Sequence, residues 1–398
     1  MSDDVKAQYE AYPYPERDPK DEARRLITGS PSLPQEMDHH LWGGARDWSK
    51  PLRFLVAGGG TGDGLVQLCQ MLTTAGRPYK ATYVDLSTNA RQIAEARVTA
   101  RNLADVRFVT GSLLEAEGLG PFDYIDCCGV LHHLPDPIAG FDALARALAP
   151  GGGMGVMVYA PLGRQGVYPL QDAFGILGQG KSPEDKLRLG KAVFAGLPED
   201  HPFRTNRHLV DHKAGDAGFY DLLLHSQDRP FTISELLEAL SDAGLELAGV
   251  PEPALYDPTS YLPDARMAEG LSDGEGMQLA ENLRGTMKTH VVYAVPEGAG
   301  IKPPWGQPGA IPRLRGIDPR KLAKSIAQTG VLKLSSGGQK RSFAVPKAAA
   351  SVVAEMGGKK SLGEIRQRLS WDIFAFNAAW TPAEKALAGY GLLHYSGV

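Results

Sequence analysis

Cysteine is scarce in this chain: Cys69, Cys127 and Cys128 are the only three in 398 residues. Sequence neighbours rarely close a good disulfide, and three thiols make no zinc framework. The pattern reads as reduced, buried thiols of a cytoplasmic protein. Long apolar runs are missing too, since none approaches the ~20 residues of a membrane span. The opening Met1-Ser2-Asp3-Asp4-Val5 has neither the basic nor the apolar stretch of a signal peptide. A net charge of −4 excludes a polycation. With 43% apolar and 22% charged residues, disorder is excluded as the main state. No internal repeat is present. Glycine, in contrast, is abundant at 47 residues and unperiodic. That excludes collagen and points to tight turns or backbone-to-ligand contacts.

The length predicts two or three domains. Charge is unevenly placed: residues 301–398 hold 15 Lys/Arg against 5 Asp/Glu, and the remainder holds 27 against 41. An acidic body therefore carries a basic tail region. Either the two dock on each other, the reading favoured here, or the tail meets an acidic partner.

Residues 1–50 form an arm rich in proline and aromatics. Its Tyr9-Glu10-Ala11-Tyr12-Pro13-Tyr14-Pro15 stretch is not helical throughout, because proline removes donors and restricts its predecessor. From residue 51 to 160 strands and helices alternate. Strands are predicted over Arg53–Ala57, Ala81–Asp85, Val106–Thr110, Tyr124–Cys128 and Gly155–Tyr159. Helices are predicted over Gly64–Ala75, Asn89–Leu103 and Ile138–Ala147, with a turn at Pro150-Gly151-Gly152-Gly153. This order argues for a doubly wound parallel α/β sheet. Residues 161–230 break the alternation and read as a cap insertion. Residues 231–297 complete the core, with a helix over Thr232–Ala243 opened by a Thr232/Glu235 capping box and strands over Leu245–Val250 and His290–Val295. A Pro/Gly-rich linker over Pro296–Pro312 leads to a basic module, residues 313–398. Helices are expected there over Asp318–Thr329, Ala348–Met356 and Ser361–Leu369, with a closing strand over Gly391–Tyr395.

The most informative segment is Val56-Ala57-Gly58-Gly59-Gly60-Thr61-Gly62-Asp63-Gly64, between a strand and a helix. Glycines there let the chain turn sharply and let a ligand touch the main chain. The second strand ends at Asp85, 27 residues after Gly58. A carboxylate at that place accepts hydrogen bonds from both hydroxyls of a ribose. Loop and acid together point to an adenosine-bearing ligand. NAD is disfavoured because the spaced third glycine of its fingerprint is missing.

The downstream pieces narrow the choice. They are Val106–Leu113, the Phe122–Leu134 run with His132 and His133, and Leu148-Ala149-Pro150-Gly151-Gly152. The ordered set, over about residues 50–160, resembles the class I S-adenosylmethionine-dependent methyltransferases. The resemblance implies a Rossmann-like seven-stranded sheet, S-adenosyl-L-methionine as cofactor, and roles for single residues. Gly58, Gly60 and Gly62 would pass under the methionine part, Asp85 would hold the ribose with Leu86 against the adenine, Ser112 and Leu113 would flank the adenine, and Gly129 would sit by the sulfonium. Two departures stand out. Val56 occupies the place of an acid that in many relatives anchors the methionine amino group through water, and Ser112 that of an Asp.

A narrower likeness covers about residues 5–250. Gln8-Tyr9-Glu10 with Tyr12-Pro13-Tyr14-Pro15, Leu55-Val56-Ala57-Gly58, Gly129–Pro137 and Asp221–Thr232 resemble a bacterial group that includes the rickettsial-type lysine methyltransferases of outer-membrane proteins. It implies a protein acceptor and a cofactor contact for Tyr9. The C-terminal module resembles a small winged-helix-like domain.

Methyl transfer from a sulfonium is a direct displacement, and the protein's task is alignment and exclusion of water. A lysine acceptor must be uncharged, which an apolar or aromatic channel favours. Tyr9, Tyr12 and Tyr14 are candidates for such a lid, Tyr159 for the acceptor pocket, and His133 for a base. His132 is read as a cap of the turn that follows; Asp221, His225 and Asp228 either combine acid and base groups near the cap or form a salt-linked helix start. No metal is expected; a zinc trio of His208, His212 and His225 has poor support. The alternatives are a small-molecule methyltransferase, a nucleic-acid methyltransferase, and a non-enzymatic protein that binds S-adenosylmethionine. The nucleic-acid reading lacks the Asn/Asp-Pro-Pro-Tyr/Phe loop after the fourth strand.

Overall fold

The structure, a computed structural model, describes residues 3–336 and 338–398. Helix α1 (Asp3–Ala11) takes in Tyr9 and stops where Pro13 restricts Tyr12. Helix α2 (Pro34–Trp42) was not expected from the sequence, because the residues it buries include Glu36, Asp38, His39 and His40.

The core then alternates: β1 (Leu52–Ala57), α3 (Asp63–Thr74), β2 (Tyr79–Asp85), α4 (Thr88–Ala100), β3 (Val106–Thr110), β4 (Phe122–Cys128), α5 (Pro137–Arg146) and β5 (Leu148–Tyr159). Strand β5 begins seven residues earlier than Gly155, its expected start. The Pro150–Gly153 stretch is no free turn but runs within the strand, across a register shift opposite Phe122 and Tyr124. Glycine is required there because a Cβ on Gly152 would lie 2.8 Å from the Phe122 carbonyl oxygen.

A helical layer follows, with α6 (Val167–Leu177), α7 (Pro183–Ala195), α8 (Pro202–Thr205) and α9 (Asp216–Leu223). It has its own apolar cluster around Phe174, Leu187, Phe203 and Phe219. The N-terminal arm closes on it: Tyr12 stacks on Tyr220 with ring centres 5.1 Å apart. The Thr232/Glu235 capping box is present at α10 (Ile233–Asp242), and β6 (Leu245–Gly249), α11 (Asp273–Arg284) and β7 (Thr289–Pro296) complete the core. The seven strands run β3-β2-β1-β4-β5-β7-β6, all parallel except β7. Alternate strand residues face opposite layers. Phe54, Val56 and Tyr124 join the α3 side, whereas Leu55, Ile125 and Val156 join the α5 and α10 side.

The C-terminal module contains β8 (Pro312–Leu314), α12 (Pro319–Thr329), a hairpin of β9 (Val331–Ser336) and β10 (Gln339–Ala344), α13 (Ala349–Ala354), α14 (Leu362–Arg368), α15 (Ile373–Gly389) and β11 (Leu393–Tyr395). The expected helices and closing strand are there, and the hairpin follows α12 directly. Its core is separate, built on Ile326, Val353, Ile365 and Trp380. The module docks on the buried polar face of α2. Ser396 Oγ and the Gly397 amide donate to Asp38, at 2.8 and 2.9 Å, and the Tyr395 amide donates to His39 Nδ1 at 3.1 Å. Arg315 pairs with Glu36 at 2.6 Å. Docking thus uses hydrogen bonds to α2 together with one direct meeting of opposite charges, Arg315 with Glu36. No helix among the described residues is long and apolar enough to cross a membrane.

Arg97 on α4 pins the arm to the glycine loop. It is fully buried, pairs with Glu22 at 2.6 Å and Asp63 at 2.7 Å, and donates to the Thr61 carbonyl at 2.8 Å. Glu22 keeps Arg101 as a second partner, so Arg97→Met is expected to cost about 3 kcal/mol, the low end for a broken buried pair. Urea unfolding measures it; a loss under ~1 kcal/mol would show the network contributes little.

Candidate functional site

A cavity of about 460 Å³ opens at the carboxyl ends of the central strands, the place where doubly wound sheets take ligands. Of the residues singled out in the sequence, it is lined by Tyr9, Tyr14, Gly58, Gly60, Asp85, Leu86, Leu113, Gly129, His133 and Tyr159. Gly62 and Ser112 are not among its lining. Gly62 precedes α3 at φ +96°, where a Cβ would meet Ala94 at 2.9 Å. The Ser112 hydroxyl caps the next turn by accepting from the Leu114 amide at 3.2 Å. Both are explained by backbone geometry.

At one end the glycine loop wraps a carboxylate. The Gly60 amide donates to Asp85 Oδ2 and the Ser87 amide to Oδ1, both at 2.8 Å. Each oxygen keeps a further lone pair for the cavity. Burial pushes the Asp85 carboxyl above its ordinary range, against the pull of these amides. Gly60 has φ +50°, and a Cβ would lie 2.8 Å from the Tyr14 carbonyl oxygen. Gly60→Ala is therefore expected to lose about 1–2 kcal/mol of stability in urea unfolding. A loss below ~0.5 kcal/mol would mean that the arm yields instead.

At the other end lies a cluster in which arm, strand and cap meet. Asp221 on α9 is 4% exposed and accepts the Tyr9 hydroxyl at 3.0 Å and the Tyr159 hydroxyl at 3.3 Å. Burial raises its carboxyl, and His133 opposes that shift. The backbone of Gln227 fixes two histidines in opposite tautomers. Its carbonyl lies 2.9 Å from His133 Nδ1, so Nδ1 carries a proton, and in the neutral ring Nε2 has the lone pair. Its amide donates to His225 Nδ1 at 3.1 Å, so His225 is protonated on Nε2, which reaches the Tyr9 oxygen at 3.2 Å. The two rings stack with centres 3.8 Å apart. Burial lowers the His225 pKa, so the ring is neutral. Arg164 lies over the Tyr159 ring at 3.6 Å and pairs with Asp228 at 3.1 Å.

Of the two readings of Asp221, the helix start does not hold: the residue lies near the end of α9, lines the cavity and holds two tyrosines from elsewhere in the chain. Arg164, which the sequence did not single out, stands behind the cavity on Tyr159 and Asp228. His132 is buried, with both ring nitrogens unpartnered among the described residues. Groups with metal-ligand spacing among the described residues are His133/Asp221/His225 and His132/His133/Asp228. His208 and His212 belong to neither, so the zinc trio does not come together.

Residues 55–154 match the model of a methyltransferase domain. An uncharacterised protein of Synechococcus sp. is 31% identical over 268 residues, covering 64% of this chain and 61% of that one. A ubiquinone biosynthesis O-methyltransferase of Psychrobacter arcticus is 34% identical over 148 residues, 36% of this chain and 52% of that protein. The chain thus spans less than two thirds of these curated relatives. PKMT2 from Rickettsia typhi shares the fold, with a TM-score of 0.64 at 16% identity over 94% of this chain and 78% of that one. Its structure in complex with AdoHcy gives 0.63 at the same identity, over 94% and 77%. Sheet order and family match agree: residues 55–154 match a methyltransferase domain, set in a seven-stranded sheet whose fold is shared with the Rickettsia typhi protein.

Proposed function

We propose that this protein transfers a methyl group from S-adenosylmethionine to an amine of a protein, with a lysine side chain as acceptor. The observation that carries the reading is one cavity lined by Asp85 at one end and by Asp221, Tyr9, Tyr159 and His133 at the other. The residues fit the cofactor. Asp85 has lone pairs left for two ribose hydroxyls, Leu86 and Leu113 offer an apolar slot, and the amides of Gly58 and Gly59 are already spent on the Val84 carbonyl. The loop therefore contributes close approach rather than donors.

The cofactor supplies an electrophilic methyl on sulfonium. The acceptor nitrogen forms the new N–C bond as the S–C bond breaks, and that electron pair stays on sulfur. The chain's own groups handle the proton. Asp221 attracts an incoming ammonium, and tyrosine rings hold cations. His133, with Nε2 unprotonated, accepts the proton, and the imidazolium so formed is stabilised by the neighbouring Asp221 carboxylate. Packing of Tyr9 and Tyr14 over the cavity excludes water and favours the uncharged amine.

The structural likeness to PKMT2 from Rickettsia typhi takes in 94% of this chain, and the N-terminal motifs that resemble lysine methyltransferases support a protein acceptor. A second reading is favoured by the O-methyltransferase relatives: a hydroxyl of a small molecule, deprotonated by the same His133. One experiment separates them. The protein is incubated with methyl-labelled S-adenosylmethionine and a lysate fractionated into protein, nucleic acid and small molecules. Label in a protease-sensitive fraction is expected; label among small molecules would replace the lysine reading.

A further inference from the structure

Among the aspartates that line the cavity is one, Asp126, that the reaction as described does not use. Asp126 on β4 is 1% exposed and lines the cavity beside the glycine loop. It pairs in register with Val56 of β1, so the two side chains share a face, and β1 itself brings no charge to that spot. Ser30 and Ser32, from the segment before α2, both donate their hydroxyls to Asp126 Oδ2. Oδ1 has no partner among the described residues. The start of α3 is kept bare to admit the group: a Cβ on Gly64 would lie 2.5 Å from Oδ2.

The surroundings are neutral. Ser30, Ser32, Tyr124 and Cys128 face the carboxylate, and no Lys, Arg or His forms an ion pair with it among the described residues. Burial raises its carboxyl to about 6. A buried carboxylate with one bare oxygen is costly unless a cation with protons to donate completes it. Within the cofactor reading, on which this inference rests, the cofactor itself brings two cations. The sulfonium has no proton to give, whereas the primary ammonium has three.

We infer that Asp126, oriented by Ser30 and Ser32, binds the primary ammonium of the amino-acid arm of an S-adenosylmethionine-type ligand. The β4 carboxylate then fixes that arm where β1 offers only Val56.

Calorimetry with three probes tests this: S-adenosylhomocysteine, its deaminated analogue, and methylthioadenosine, which lacks the amino-acid arm. In the wild type, deamination is expected to weaken binding by at least about tenfold. In Asp126→Asn that penalty shrinks to within about twofold, while methylthioadenosine binds as in the wild type and certifies the fold of the variant. An undiminished penalty in Asp126→Asn overturns the assignment but leaves the cofactor reading standing. Absence of a penalty in the wild type overturns it without any variant. A wild type that binds none of the three removes the cofactor reading, and this assignment with it.

Discussion

Asp85→Ala is expected to weaken S-adenosylhomocysteine by about 100- to 10,000-fold in calorimetry. The size follows from two charge-assisted hydrogen bonds to ribose hydroxyls, each worth about 1.5–3 kcal/mol. The variant also releases the Gly60 and Ser87 amides, which now end on this carboxylate. Asp85→Asn separates the two effects, because the Asn carbonyl oxygen still accepts one amide while the charge is gone. Its affinity is expected between those of the wild type and the Ala variant. Unchanged affinity in Asp85→Ala would sink the ribose assignment, however well the loop geometry fits.

The second large effect lies at the other end of the cavity. His133→Gln and Asp221→Asn are each expected to lower the methyl-transfer rate by about 100-fold or more, the usual contribution of a positioned proton acceptor. Both substitutions keep volume and hydrogen-bonding capacity, so the cofactor affinity stays within about threefold. The double variant is expected to lose less than the product of the single losses, because the imidazolium and the carboxylate act as one unit. Multiplying losses would mean two independent roles. Loss of cofactor binding in step with rate would show that the cluster merely supports the cavity wall.

The two ends were not equally legible in the sequence. Gly58, Gly60 and Asp85 stood out because a strand, a sharp turn and a helix occupy consecutive residues, so local spacing encodes that end almost completely. The departures were legible as well. Val56 was recognised as an apolar residue in an acid's place, but nothing in the sequence pointed to Asp126, 70 positions later, as the charge on the same face. The register of β1 with β4 alone makes them neighbours.

Asp221 shows the same limit. Its ties to Tyr9 and Tyr159 span 212 and 62 residues, and no local pattern records a contact formed when arm and cap close over a sheet. Helix α2 was missed for a related reason. Its Glu36, Asp38, His39 and His40 look solvent-facing by composition, yet they are buried under the C-terminal module.

By itself the sequence determined the alternation of strands and helices, the glycine loop, the acid after β2 and hence the class of domain, because these depend on backbone preferences and short-range spacing. The tertiary structure alone decided which polar residues are buried and which charges meet. Burial and pairing arise from packing between distant segments, and they bring Asp85, Asp126 and Asp221 to the lining of one cavity.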